Sequence, residues 1–226
     1  RRRQRQMCIR DSLESGDNPF AAVYAEAAIK MIVETLTPEG LEKKMAAILM
    51  ALTNAAVWAG CARDMRPPGL AHRLGRELAA TVPHGAGICM GLCLPAVVDQ
   101  ALERRPRLSA ELLHVLGDEA LYSITVPELR QPKCVNLLRE GWHTLQLTWP
   151  DKIPAGLEAT GIAREQLAAV ALAANPQEPA AAQSCLENSW TLVPALQLQA
   201  LPTESTAVDA DTHADRGVQD APAELL

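Results

Sequence analysis

Two histidines carry the chemistry that this sequence suggests. His72 lies in Gly69-Leu-Ala-His72-Arg-Leu-Gly75, and His84 lies in Pro83-His84-Gly85. A neutral imidazole is a ready ligand for divalent transition metals. A helix beginning just after His84 would present its free N–H groups and positive end to that ring, which opposes a second positive charge there. Twelve positions apart, the two rings could share one ion if the chain turns between them, and Thr81-Val82-Pro83 supplies a turn. Two imidazoles are only half of a site, because catalytic metals take three or more protein ligands. The ordinary alternatives are a hydrogen-bonded core histidine for His72 and a ring positioned at a helix start for His84.

The other candidates are weaker. Cys89 and Cys93 are four apart, so they share a helix face and could join His84 on zinc, yet their surroundings are apolar and favour packing. The six cysteines contain no Cys-x-x-Cys pair. Cys61, Cys89, Cys93 and Cys185 sit in apolar helical stretches, as small buried thiols do in a reducing, cytoplasmic compartment. His114 and His143 have no evident partner and read as surface or interface residues. His213 falls in the C-terminal tail.

The elements that must position these residues are helices. Of 226 residues, 48% are hydrophobic but only 3% aromatic, with a single Phe. Alanine and leucine therefore build the core, a mix that favours helix over sheet. The expected fold class is all-α, a helical bundle. Residues 1–12 hold five Arg and one Asp, and residues 201–226 hold six acids and one Arg. The body between them is mildly acidic, which argues against a nucleic-acid partner. A membrane partner is not expected either. Ala46–Ala62 is interrupted by Thr53 and Asn54, Ala86–Val98 spans 13 residues, and a bilayer needs about 20. No Gly-rich phosphate loop, G-x-G-x-x-G or G-x-S-x-G is present.

Along the chain, Asp17 or Asn18 can cap a first helix that has Pro19 at its first position. Its apolar residues are Val23, Ala27, Ile29, Met31, Ile32, Val33 and Leu36. Thr37 caps a second helix opened by Pro38 and running from Glu39 to Cys61. That helix has a buried stripe of Leu41, Met45, Ile48, Leu52, Val57 and Cys61 and a place in the middle of the bundle. Pro67-Pro68-Gly69 ends it. A short helix carries His72, and a long apolar one runs from His84 to about Glu103 with a Pro95 kink. Leu108–Leu116 is helical. Tyr122–Val126 and Leu145–Trp149 alternate like short strands around a helical Leu137–Glu140. Small helices follow at 153–162, 164–174 and 180–200.

Three regions result: residues 1–12, 13–200 and 201–226. Met7-Cys-Ile-Arg-Asp-Ser12 back-translates to a sequence resembling the transposon end of library adapters, so residues 1–12 are expected to be a cloning scar. Residues 13–200 are the helical metal-binding domain. Residues 201–226 have little to bury and are expected to be a disordered acidic tail.

The order Asn18-Pro19-Phe20, Ala59-Gly60-Cys61, Gly69-Leu-Ala-His72, Pro83-His84-Gly85, Leu94-Pro95, then Ile153-Pro-Ala-Gly-Leu157 and Gly161-Ile162 resembles the iron-containing (metal-dependent) alcohol dehydrogenase family. The likeness covers about residues 13–200 and corresponds to that family's C-terminal helical domain. It implies His72 and His84 as metal ligands, with Pro-His-Gly the more specific match. The family usually shows His-x-x-x-His-Pro-Leu-Gly. Here only His72-Arg-Leu-Gly75 stands. Anchored on Gly-Leu-Ala-His, His72 is the ligand and Arg76 takes the second histidine's slot. Anchored on His-x-Leu-Gly, His72 is the second histidine and Pro68 takes the ligand position. The first alignment is preferred, because ligand geometry tolerates less change.

The resemblance further implies a divalent metal, Fe or Zn, and NAD or NADP held through an N-terminal domain that this sequence lacks. The remaining ligands, an Asp and a His four residues later, would fall in or before residues 1–12. The implied parent is an enzyme that oxidises alcohols or reduces aldehydes by hydride transfer, with a small-molecule alcohol or aldehyde as its partner and homo-oligomerisation open. The fragment alone is expected to be inactive. Arg63, Arg66, Arg73 and Arg76 keep a dehydroquinate synthase-like or glycerol (phosphate) dehydrogenase-like enzyme as an alternative. A metal-free helical interaction module is the alternative of a different class.

Overall fold

A computed structural model describes residues 18–192. The expected adapter scar (1–12), the acidic tail (201–226) and the end of the last expected helix lie outside the described residues. Ten α-helices and three short 3-10 turns make up the secondary structure, with no strand among the described residues.

Helix α1 (Pro19–Thr35) begins as its sequence dictates. Asn18 Oδ1 accepts from the amides of Phe20 (3.1 Å) and Ala21 (3.3 Å), and Pro19 needs no partner for its nitrogen. Thr37 Oγ1 accepts from the Gly40 amide at 3.0 Å and caps α2 (Pro38–Leu41). The chain then breaks and restarts as α3 (Met45–Asp64), so the single helix expected from Glu39 to Cys61 is two.

The expected buried stripes of α1 and α3 are corrected as well. Both helices turn their alanines inward: Ala21, Ala25 and Ala28 on α1, and Ala55, Ala56, Ala59 and Ala62 on α3. Val23, Met45 and Val57, expected inside, are exposed, while Leu41, Leu52 and Cys61 are only partly buried. Small side chains let two helix backbones approach closely, and the larger residues are displaced to the flanks. In consequence α3 lies at the edge of the bundle rather than in its middle.

Helices α4 (Leu70–Ala79) and α5 (Ala86–Arg104) form a tight hairpin. Helix α5 is the core element: Gly87 and every residue from Cys89 to Val98 are buried. It packs on α8 (Arg130–Thr148) and α10 (Pro179–Asn188), while α9 (Leu167–Ala174) covers α4. By length and composition α3 and α5 could each cross a membrane, being longer than the apolar runs in the sequence, but 67% of the apolar window of α5 is buried inside the bundle.

The two expected strands are helical. Tyr122–Ile124 belongs to α7 (Glu119–Ile124), which follows α6 (Leu108–Leu116), and Leu145–Thr148 completes α8. Alternation over five residues also satisfies a helix whose apolar side chains are only partly buried, and Leu145 is such a residue. The 153–162 segment is a loop with one 3-10 turn at Glu158–Thr160 rather than a helix. It is nailed down at three points. Trp142 Nε1 donates to the Pro154 carbonyl at 3.0 Å. The Leu157 amide donates to the Ser189 carbonyl at 3.0 Å, and the Glu158 amide to the Trp190 carbonyl at 3.2 Å.

Candidate functional site

His72 occupies the first turn of α4, after Gly69 at the N-cap. Its neighbours Leu70 and Ala71 are buried and the ring itself is partly buried. His84 stands in the connection between α4 and α5, two residues before α5 begins and one before its N-cap, Gly85. It too is partly buried. Both histidines therefore belong to one helical hairpin.

Gly75 fixes how close the arms of that hairpin come. A Cβ there would strike the Met90 side chain, and would lie 2.8 Å from the Met90 amide nitrogen and 3.0 Å from the Ala86 carbonyl oxygen. One turn of α4, about 5 Å of rise, separates Gly75 from His72. Toward its N-terminus α4 runs on along α5, away from the start of α5 where His84 stands, and Leu70 and Arg73 line a cavity together with Val97 and Ala101. Cys89 secures the connection from the other side, its Sγ donating to the His84 carbonyl at 3.8 Å. Gly85 has open space around it, with nothing within 4 Å of a Cβ built there.

The cysteines are mostly buried in the apolar core. Burial pushes the Cys89 thiol up to about 11 and raises Cys93 well above the ordinary thiol range, with Cys89 and Cys185 adding to the effect on Cys93. Cys61, Cys89, Cys93 and Cys134 are free thiols, and Cys89, Cys93, Cys134 and Cys185 are buried.

No group of three or more His, Cys, Asp and Glu side chains converges on a metal-sized space among the described residues. The donor set on this hairpin is two imidazoles, which fits one side of a metal site and leaves its other ligands to come from elsewhere. His114, expected to be unpartnered, instead meets Glu119 (Nδ1 to Oε2, 3.2 Å) and packs edge-on against Tyr122 at 5.5 Å, with Arg130 over the other ring at 4.6 Å. Its sequence signal was the five-residue spacing to Glu119 across the α6–α7 turn.

Two cavities lie elsewhere. An apolar one of about 300 Å³ runs between α1, α5 and α8 and is lined by Gly91, Leu94 and Pro95 of α5. A polar one of about 320 Å³ collects Arg73, Arg104 and Arg105, with Arg104 paired to Glu178 at 3.0 Å and Arg73 Nη2 3.5 Å from Asn175 Oδ1. Neither His72 nor His84 lines either cavity.

Comparison with known proteins agrees with the helical layout. The profile of the Fe-containing alcohol dehydrogenase family, C-terminal, matches residues 13–190. Among solved structures, the alcohol dehydrogenase from Oenococcus oeni superposes with a TM-score of 0.68 at 17% identity, covering 84% of this chain and 50% of that one. A 1,3-propanediol oxidoreductase gives 0.70 at 15% identity, covering 81% and 49%. Maleylacetate reductase from Rhizobium sp. strain MTP-10005 gives 0.61 at 18%, covering 84% and 51%. The chain thus spans about half the length of these solved relatives. No curated protein sequence matches it.

Proposed function

Since the chain belongs to the Fe-containing alcohol dehydrogenase family through its C-terminal helical domain, we propose that it is the metal-holding half of a metal-dependent NAD(P) alcohol dehydrogenase. The parent oxidises small alcohols or reduces aldehydes by hydride transfer. The observation that carries this reading is the family match over residues 13–190, supported by two imidazoles on one α4–α5 hairpin, one in Gly-Leu-Ala-His and one in Pro-His-Gly.

His72 and His84 would each offer one ring nitrogen to the ion, iron or zinc. When bound, a divalent cation supplies Lewis acidity that makes a ligated alcohol easier to deprotonate. The residues of this chain do the positioning. Helix α5 forms a rigid apolar wall that keeps water from one side, and the Cys89 thiol holds the His84 carbonyl in place. The nicotinamide cofactor falls to the rest of the parent, because this sequence carries no phosphate-binding loop.

Calorimetric titration of Zn²⁺, and of Fe²⁺ without oxygen, into the wild-type chain and into His72→Ala and His84→Ala tests the assignment. One weak site is expected in the wild type and none in either variant, since two ligands hold a metal loosely. Unchanged binding in both variants would leave the helical interaction module as the better reading. Turnover of any alcohol with NAD or NADP by this chain alone would overturn the division of labour between the halves.

A further inference from the structure

The polar cavity of about 320 Å³ has three walls: Arg73 on α4, Arg104 and Arg105 at the end of α5, and the segment 175–178 that leads into α10. Its volume lies at the lower end of the range for small-molecule sites. The length of α5 sets it apart from the turn that carries His84. That helix has 19 residues, starts just after His84 and ends at Arg104, about 28 Å away.

Its charge is that of an anion receptor. Three guanidinium groups line it against the single carboxylate of Glu178, in a chain whose net charge is −6. Arg104 meets that carboxylate at 3.0 Å. Arg104 and Arg105 also have an ordinary explanation, since cations suit the C-terminal end of a helix. Arg73 has no such explanation. It lies in the first turn of α4, where the positive end of the helix favours an acid and no acid is present. Its hydrogen-bond partner is neutral: Nη2 reaches Asn175 Oδ1 at 3.5 Å, the outer limit of such a bond, and Arg73 forms no ion pair among the described residues. The walls are fixed without a ligand. Asn175 is buried, and its Nδ2 donates to the Glu178 carbonyl at 3.2 Å, which closes the 175–178 turn while its Oδ1 faces Arg73. Gln100 Nε2 donates to the Ala181 carbonyl at 3.2 Å and ties the first turn of α10 to α5. A preformed cavity spares its ligand the cost of ordering it.

We propose that this cavity binds a small oxyanion carrying at least two negative charges, a phosphate ester or a di- or tricarboxylate, and that Arg73 is its principal contact. Guanidinium forks pair bidentately with phosphate and carboxylate alike. An anion seated between Arg73 and the two arginines of α5 relieves the repulsion among them and offsets the unfavourable place of Arg73 on its helix. Neither His72 nor His84 lines the cavity. The anion site therefore stands or falls separately from the metal reading.

Calorimetric titration of the full 226-residue chain with inorganic phosphate and with citrate, at ionic strength matched with sodium chloride, tests the proposal. One saturable site is expected for at least one of the two anions. Binding of phosphate alone identifies the ligand class as a phosphate ester, and binding of citrate alone as a carboxylate. Arg73→Gln is expected to weaken binding about tenfold or more. Glu178→Gln removes the one carboxylate of the cavity and is expected to tighten binding about threefold, a gain that a misfolded variant would not give. Arg63→Gln, whose guanidinium pairs with Asp64 elsewhere on the surface, is expected to bind as the wild type does. No saturable binding of either anion up to about 10 mM overturns the proposal. So does wild-type affinity in Arg73→Gln, weaker binding in Glu178→Gln, or a loss in Arg63→Gln equal to that in Arg73→Gln. Tighter binding of a DNA duplex than of either small anion overturns it in favour of nucleic acid.

Discussion

A Cβ placed on Gly75 would lie 3.0 Å from the carbonyl oxygen of Ala86 and 2.8 Å from the amide nitrogen of Met90. Both of those atoms are backbone, so neither can swing aside. Gly75→Ala is therefore expected to push α4 off α5 and destabilise the chain by about 1–3 kcal/mol. Gly85→Ala, whose new methyl meets nothing within 4 Å, loses only part of an N-cap preference, about 1 kcal/mol or less. Urea denaturation of the two variants checks the contrast. Comparable losses would mean that the crossing at Gly75 is not what sets the spacing of the hairpin.

The hairpin was legible in the sequence because its signals are chemical. Proline-glycine breaks bound both helices, and His72 and His84 flank them. The fold class was legible in the same way, from alanine and leucine without aromatics. What failed was the choice of buried face on α1 and α3. Hydrophobicity ranks Val23 and Val57 above Ala25 and Ala59, but close helix packing selects for small size, and that depends on the neighbouring helix. The strands expected at 122–126 and 145–149 failed for a related reason. A five-residue alternation does not report its period when the helix carrying it is only half buried. The two imidazoles were visible as residues, whereas the close approach of α4 to α5 at Gly75 was not, because the sequence shows a glycine only as a residue type.

The thiols make the bundle sensitive to alkali. Burial pushes Cys89 up from 9.0 to about 11 and Cys134 from 9.0 to about 12, and raises Cys93 as well. Unfolding returns each to its ordinary value, so above pH 9 the unfolded chain holds fewer protons than the folded one. Stability is then intact below pH 9 and falls from there to about pH 11–12, each thiol shifting the equilibrium on the order of tenfold per pH unit toward unfolding. Midpoints of urea denaturation across pH 8–10.5 should fall, and Cys89→Ala should flatten the slope. In the folded chain at pH 8, iodoacetamide should modify Cys61 well before Cys89, Cys93, Cys134 or Cys185.

Trp142 joins α8 to the loop that follows it. Its indole is buried, and its Nε1 donates to the Pro154 carbonyl at 3.0 Å. Trp142→Phe keeps most of the apolar area but leaves that carbonyl without its donor, at a cost of about 1–3 kcal/mol. Seven residues on, Gly161 has φ of +82°, a left-handed conformation that L side chains rarely adopt. Gly161→Ala should cost about 1–2 kcal/mol through backbone strain alone. The two losses should add if loop and helix act independently, and thermal denaturation of the double variant measures whether they do.

The alanine seam between α1 and α3 gives the sharpest test of how this bundle is packed. Ala25 and Ala28 on one helix, and Ala59 and Ala62 on the other, are fully buried. Val57, two residues before Ala59, points out. A size-only change should therefore have opposite weight at neighbouring positions. Ala59→Val adds two methyl groups where the helices touch and should destabilise the chain by about 1–3 kcal/mol. Val57→Ala removes the same two methyls from an exposed position and should stay within about 0.5 kcal/mol of wild type. Hydrophobicity alone predicts the reverse order, because it counts the valine at 57 as a lost core residue and the one at 59 as a gained one. Guanidinium unfolding of both variants decides between the two. A stabilised Ala59→Val variant would show that α1 and α3 do not meet through their alanines.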